Sequence, residues 1–462
     1  METPTAARHA APQSVNTLIV GAGQAGLATS YWLTQHGVEH QVLERRETLG
    51  GAWQDRWDSF YLNTPNFSFM LPGLTYDGPE PDAFLPRDAV IDLFRDYAQR
   101  IAAPVQLGTE ATRIARAGDH FSVETTGGHF TAENVVLANG AFQNPRIPVA
   151  SAALPGHAHQ LHSHDYRNPQ QLPDGAVLVV GAGQSGGQIT EDLLAAGREV
   201  HLSVSACPKA PRRYRGQDTF YWIVQINLHG PTYGINGLQV EQLPFPAARF
   251  MCNPLVSGND GGHSIHLREL GRRGVRLHGH FEGSDDGVLV FSDDLPGRLA
   301  MVEAGFGQRL KPLADAYIGA AGIDAPAAEP LQDDPWLPEE SGARLDLDAE
   351  NITSIIWATG YGLDFSFLDI PVLDEWNYPR HSRGVTEVPG LYAVGLPWLT
   401  RHASATLALV GEDARYVAEH IARRNPRDLD PLRCWSRWAI DSRVSVMPSF
   451  DPWKALESGA TR

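Results

Sequence analysis

Two short segments of this chain, GAGQAG at 21–26 and GAGQSG at 181–186, are near copies, and each sits in the same run of patterning. Ahead of the first lies the apolar TLIV (17–20). After it comes QAGLATSYWLTQH (24–36), with Leu27, Tyr31 and Leu33 at helical spacing, then Gly37 to end the helix and EHQVLE to return as a strand. The second copy repeats the order with AVLVV (176–180), QSGGQITEDLLAA (184–196), a stop at Gly197 and REVHLSVS. A glycine turn between strand and helix lets backbone amides approach a pyrophosphate at the helix N-terminus, where unpaired N–H groups and the helix dipole favour an anion. Two such units dictate an α/β fold with two Rossmann-like dinucleotide-binding domains, the second inserted in the first, and they imply two dinucleotide ligands.

The units end differently. The first closes on Glu44, about 20 residues beyond Gly21, where a carboxylate accepts bonds from an adenosine ribose. At the same offset the second carries Val204 between Ser203 and Ser205, followed by Lys209, Arg212, Arg213 and Arg215. A missing acid removes repulsion toward a 2′-phosphate and nearby cations supply attraction, so the second ligand is expected to be NADPH, with Arg212 and Arg213 among its contacts. Read instead as a solvated loop, the same basic run leaves NADH equally served.

At 462 residues the chain is long enough for two or three domains. It carries 37 basic against 54 acidic residues, and its net charge of −17 opposes binding to nucleic acid or anionic lipid. No apolar run reaches the roughly 18 residues of a membrane span. METPTAARHAAPQSVN lacks the apolar core of a secretory signal, which points to the cytoplasm. Partners are therefore expected to be small molecules, with no nucleic acid and no membrane. The widely spaced Cys207, Cys252 and Cys434 form no C-x-x-C pair and read as bystander thiols. His157, His159, His162 and His164 alternate along one segment, but with no cysteine pair or acidic triad nearby no metal site is expected.

Three further motifs occur together: GGAW (50–53), RWDSFYLNTPNFSFMLPG (56–73) and ATGYGLDFSFL (358–368). On them the chain resembles the flavin-containing monooxygenases and their bacterial relatives over nearly its whole length. LPGHAHQLHSHDY (154–166) meets that family's fingerprint, F-x-G-x-x-x-H-x-x-x-F/Y, in part. His162 and Tyr166 keep the closing spacing, Leu154 stands for Phe, and Gly156 lies too far from His162. The ending Tyr166-Arg167 differs from the W-P/D of the Baeyer–Villiger branch and favours the heteroatom-oxygenating or plant-auxin-type branch.

The resemblance implies FAD in the first unit, held at Gly21, Ala22, Gly23, Gln24, Ala25, Gly26 and Glu44, with Ala52, Trp53, Leu62, Asn63 and Thr64 about the ring system. It implies NADPH across Gly181, Gly183, Gln184, Ser185, Gly186, Gly187 and Gln188. Asn63 is the implied catalytic residue, orienting NADP⁺ or the flavin hydroperoxide by which one oxygen of dioxygen enters a small organic substrate; read blandly, Asn-Thr-Pro is only a turn. An NADPH-dependent flavoprotein reductase or oxidase without oxygen transfer is the alternative, and a nucleotide-binding structural protein fits poorly. The expected layout is a disordered lead-in at 1–16, the first part of the FAD-binding domain at 17–165, the NADPH-binding domain at 166–340, and the rest of the FAD-binding domain with C-terminal helices at 341–462. The aromatic-rich DTFYWIVQINLHGPTYG within the second domain reads as a pocket wall, a packing appendage or a homodimer surface.

Overall fold

The computed structural model describes residues 12–424 apart from 206, 252, 286, 331–333 and 340. Its first sheet is built on β1 (Gln13–Val20), β2 (His40–Leu43), β3 (Val105–Gln106), β4 (Ala111–Ala117), β5 (His120–Thr125) and β6 (Gly128–Leu137), in the order β4-β5-β6-β1-β2-β3. β4 to β6 form an antiparallel meander, whereas β1 runs parallel to both β2 and β6. The first crossover helix, α1 (Gln24–Gln35), is followed by α2 (Arg87–Arg100).

A second sheet holds β7 (His159–His162), β8 (Ala176–Val180), β9 (Val200–Ser203), β10 (Arg276–His278) and β11 (Ile352–Trp357), in the order β7-β11-β8-β9-β10, with every pairing parallel. Covered on both faces, a central parallel strand reads as a continuous apolar run, and all five residues of AVLVV are buried in β8. The chain then returns to the first sheet, where β12 (Leu391–Ala393) lies parallel to β6. The remaining helices are α3 (Gln184–Ala195), α4 (Thr219–Leu228), α5 (Leu267–Arg272), α6 (Leu295–Ala321) and α7 (Val410–Arg423).

Strand pairing moves several expected limits. Gln13 to Thr17 pair with β6, so the ordered chain begins inside the expected lead-in; residues 1–11 lie outside the described ones. β7 precedes 166 and β11 follows 340, yet both belong to the second sheet. The physical reason is pairing: between β7 and β8 the apolar β11 finds backbone partners on both edges, and most of its residues are buried there. The chain thus re-enters the first sheet after the ATGYG turn, where Leu368 and Asp369 pair with β4. Of the expected C-terminal helices α7 is present, and residues beyond 424 lie outside the described ones. The aromatic-rich segment forms α4, whose Trp222 and Ile226 pack on Phe306, Tyr317 and Ile318 of α6. Cys207 is disulfide-bonded, so the expectation of bystander thiols fails there.

Candidate functional site: two glycine cradles

The two glycine turns are built alike. Gly21 and Gly181 both hold φ +105°, the left-handed region that favours glycine, and a Cβ on either would lie 2.6 Å from the carbonyl oxygen of Ala138 or Ala358. A Cβ on Gly26 or Gly186 would lie 1.8 Å from the carbonyl oxygen of Gly21 or Gly181, so helix and strand approach there only because both residues lack one. Gly23 is different: a Cβ on it meets no heavy atom within 4 Å. Gly23 and Gly183 are the N-caps of α1 and α3, in nearly the same extended conformation, and neither helix has a side-chain cap or an acid in its first turn. Both helix N-termini therefore lack a side-chain partner for their first N–H groups, the arrangement a pyrophosphate requires.

Glu44, 6% exposed, accepts from the amides of Ala22 (3.0 Å) and Arg46 (3.0 Å), leaving carboxylate lone pairs for a ribose. In the second cradle the equivalent amide, Ala182, donates to the Ser205 hydroxyl (3.3 Å), so the acid is replaced by a neutral acceptor. The turn carrying Ala52 and Trp53 lies over the first cradle, a Cβ on Gly51 falling 3.5 Å from the Gly23 Cα. The glutamines that open the two helices reach across the molecule: Gln24 donates to the Ala405 carbonyl (2.6 Å), and Gln184 binds both backbone groups of Val256. Ala25 packs under Gly395, Ser185 is half-buried in the first turn of α3, and Gly187 sits against Ile265.

Asn63, on the segment that follows the GGAW turn, is held by two residues of the second unit, Gln188 and Arg212. Gln188, 1% exposed on α3, donates from Nε2 to Asn63 Oδ1 (2.9 Å), and its own Oε1 has no partner among the described residues. Asn63 Nδ2 donates to no described residue. Asn63 thus offers the site two N–H donors, with one of the two lone pairs of Oδ1 taken by Gln188. Leu62 is buried, and a Cβ on Gly258 would lie 1.9 Å from its carbonyl oxygen, so the 256–264 loop closes against this segment. Thr64 lines an apolar pocket with Phe220, Ile223, Val224, Leu407 and Leu409.

Three of the four cations in the basic run are ion-paired within the protein. Lys209 pairs with Glu303 (2.6 Å), Arg215 with Asp315 (3.2 Å), and Arg212, 7% exposed, with Asp218 (2.6 Å). Among these cations only Arg213, exposed, has no ion pair among the described residues. Arg212 is thus buried and ion-paired, and its guanidinium Nη1 also donates to the Asn63 carbonyl (2.8 Å).

The histidines do not converge either. Burial pushes His162 down to about 4, so it is neutral at pH 7; its Nε2 donates to the Gly360 carbonyl (3.0 Å) while Nδ1 accepts from the His164 amide (3.0 Å). It thereby latches one domain crossing to the other. His157 pairs with Asp348, and among the described residues no three His, Cys, Asp or Glu side chains are placed to hold a metal ion. Tyr166 donates to Asp192 of α3 (2.6 Å), whose other oxygen accepts from Ser59 (2.7 Å); burial and that carboxylate raise the phenol's pKa. Motif reading had no signal for this three-way clamp, which forms between distant segments.

This architecture, with one glycine cradle on a mixed sheet and the other on a parallel one, is that of a flavin- and pyridine-nucleotide-dependent oxidoreductase, and comparison with known proteins agrees. The family model for pyridine nucleotide-disulphide oxidoreductases matches residues 18–228. Over 88% of its length the chain is 32% identical to an uncharacterized CzcO-like oxidoreductase of Geobacillus kaustophilus, covering 98% of that protein. It is 27% identical to the flavin-containing monooxygenase FMO GS-OX-like 2 of Arabidopsis thaliana, over 47% of this chain and 54% of that one. Among solved structures, the flavin-containing monooxygenase from Stenotrophomonas maltophilia superposes with a TM-score of 0.56 at 20% identity, over 88% of this chain and 98% of that one. The bacillithiol disulfide reductase of Bacillus cereus gives 0.55 at 15% identity, over 89% and 100%. The chain belongs to the CzcO-like oxidoreductases, and it is similar to flavin-containing monooxygenases and pyridine nucleotide oxidoreductases, whose members use FAD and NADPH. Among the described residues no helix is long and apolar enough to cross a membrane.

Proposed function

We propose that the protein is an FAD-dependent, NADPH-consuming monooxygenase that places one oxygen of dioxygen on a small organic substrate. Gly21 to Gly26, Glu44 and the GGAW turn would hold FAD, and Gly181 to Gln188 would hold NADPH. Bound there, the flavin accepts hydride from the nicotinamide and, once reduced, reacts with dioxygen. The observation that carries the reading is Asn63. It is held by Gln188 of α3, its Nδ2 is unspent among the described residues, and the next residue, Thr64, lines the apolar pocket. An amide at this place stabilises developing negative charge without supplying a proton.

The pocket wall supports the same reading. Two of its hydroxyls are already spent on carbonyls, Thr406 on Ala403 (2.7 Å) and Ser68 on Pro65 (2.6 Å). What remains of the wall is largely hydrocarbon, which excludes water from the pocket next to the Asn63 segment. Turnover with NADPH under isotopically labelled dioxygen, across a panel of sulfides, amines and ketones, tests the proposal. One labelled oxygen in the product per NADPH consumed is the expected result. Hydrogen peroxide as the whole product with every substrate would replace it with the oxidase alternative, and NADPH oxidation without dioxygen uptake with the reductase. Asn63→Ala should divert electrons from product to hydrogen peroxide, lowering product yield on the order of a hundredfold.

A further inference from the structure

Arg212 is buried with every arm of its guanidinium engaged. Nε and Nη2 grip the two oxygens of Asp218 (2.7 and 2.6 Å), and Nη1 donates to the Asn63 carbonyl (2.8 Å). Its Cζ lies 4.9 Å from the Phe84 ring centroid and 5.5 Å from that of Phe220. The local fold explains the placement. Arg215 and Gly216, at φ 47° and 80°, turn the chain so that Arg213 pairs with Asp218 in a short hairpin, which brings Arg212 and Asp218 together at its open end. Asp218 is also the N-cap of α4, its Oδ1 accepting from the Phe220 amide (2.8 Å). α4 supplies Phe220, Ile223 and Val224 to the pocket that Thr64, next in sequence to Asn63, also lines. A closed circuit thus runs from Asn63 through Arg212 and Asp218 to the α4 wall and back to Thr64.

We propose that Arg212 is a positioning residue which, through its grip on Asp218, fixes Asn63 and the α4 wall in one frame, and that it takes no part in reading the nucleotide phosphate. The oxygen-transfer side of this inference rests on the monooxygenase reading above; the phosphate side does not. A planar fork is needed to hold two carboxylate oxygens and a carbonyl at once, so lysine, with the same charge, cannot replace it.

The experiment compares wild type, Arg212→Lys, Asp218→Asn, Asn63→Ala and the Arg212→Lys/Asn63→Ala pair, each as FAD-loaded full chain. Binding of NADP⁺ and NAD⁺ is followed by flavin absorbance, and labelled product per NADPH by mass spectrometry. Arg212→Lys should leave the NADP⁺ to NAD⁺ affinity ratio within about twofold of wild type while product per NADPH falls on the order of ten- to a hundredfold. In the Asn63→Ala background the lysine should cost nothing further, because it acts through that side chain. Asp218→Asn, which keeps the helix cap but not the charge, should fall between wild type and Arg212→Lys. A collapse of the affinity ratio in Arg212→Lys, or equal losses with and without Asn63, overturns the inference. Should Arg212→Lys fail to fold, Asp218→Asn answers alone: unchanged product per NADPH there is equally fatal. If wild type yields no labelled product, the monooxygenase reading fails first, and the affinity ratio still decides whether Arg212 reads the phosphate.

Discussion

At the scale of single residues, the first cradle separates glycines that serve the fold from one that serves a ligand. Gly26→Ala puts a methyl 1.8 Å from the Gly21 carbonyl oxygen, which neither backbone can yield, so it should destabilise the protein by about 3 kcal/mol or more. Gly23→Leu projects instead into space empty of protein within 4 Å of its Cβ. It should keep the melting temperature of the apoprotein but purify without yellow colour, since the side chain occupies the volume of a pyrophosphate. A flavin absorbance equal to wild type in Gly23→Leu would remove the first cradle from the FAD site. Sequence spacing identified both glycines but could not tell their jobs apart; that distinction depends on which atoms of distant strands face each one. The same limit explains Arg212. Its run of cations was legible, but Glu303 and Asp315, which neutralise two of the neighbours, lie about a hundred residues away.

At the scale of elements, both βαβ units were legible because their strands are short apolar runs and their helices end at Gly37 and Gly197, each with positive φ. The longest helix was not. α6 spans 27 residues through Pro296, Gly297, Gly305, Gly307 and Pro312, residues that weaken a helical reading, and tertiary packing of Phe306, Ala314, Tyr317 and Ile318 against α4 overrides them. The return crossing was placed too early for a related reason: an apolar run such as β11 carries no mark of which sheet it joins. What ties the crossings together is polar. Tyr166 and Ser59 share the carboxylate of Asp192, so the linker, the first domain and α3 meet at one side chain. Tyr166→Phe removes one of those bonds and should lower stability by about 1 kcal/mol in chemical denaturation. Asp192→Asn with Tyr166→Phe should lose less than the sum of the two single changes, as expected for partners in one network. Strictly additive losses would mean that the clamp is not a unit.

Over the whole molecule, the second sheet and its crossings are built around imidazoles that must stay neutral. His162 and His201 are both wholly buried, and burial pushes them down to about 4 and about 3, against 6.5 for a free histidine. In the unfolded chain each takes up a proton as pH falls through 6.5, whereas in the native state each stays neutral until its lowered value is reached. Stability is therefore complete above pH 6.5 and is lost progressively below it, on the order of 3 kcal/mol per histidine by pH 4. The net charge works the other way only at first, since a chain at −17 with an isoelectric point near 5.5 sheds self-repulsion down to about that pH and gains positive charge below it. Comparing wild type with His162→Gln cancels that common term, because glutamine keeps a donor for the Gly360 carbonyl and does not titrate. Denaturation free energies measured from pH 7 to pH 4 should fall less steeply in His162→Gln than in wild type, the difference opening below pH 6.5. Parallel curves would show that the imidazole titrates normally in the folded protein, and that the latch between the two crossings is not the neutral donor its hydrogen bonds describe.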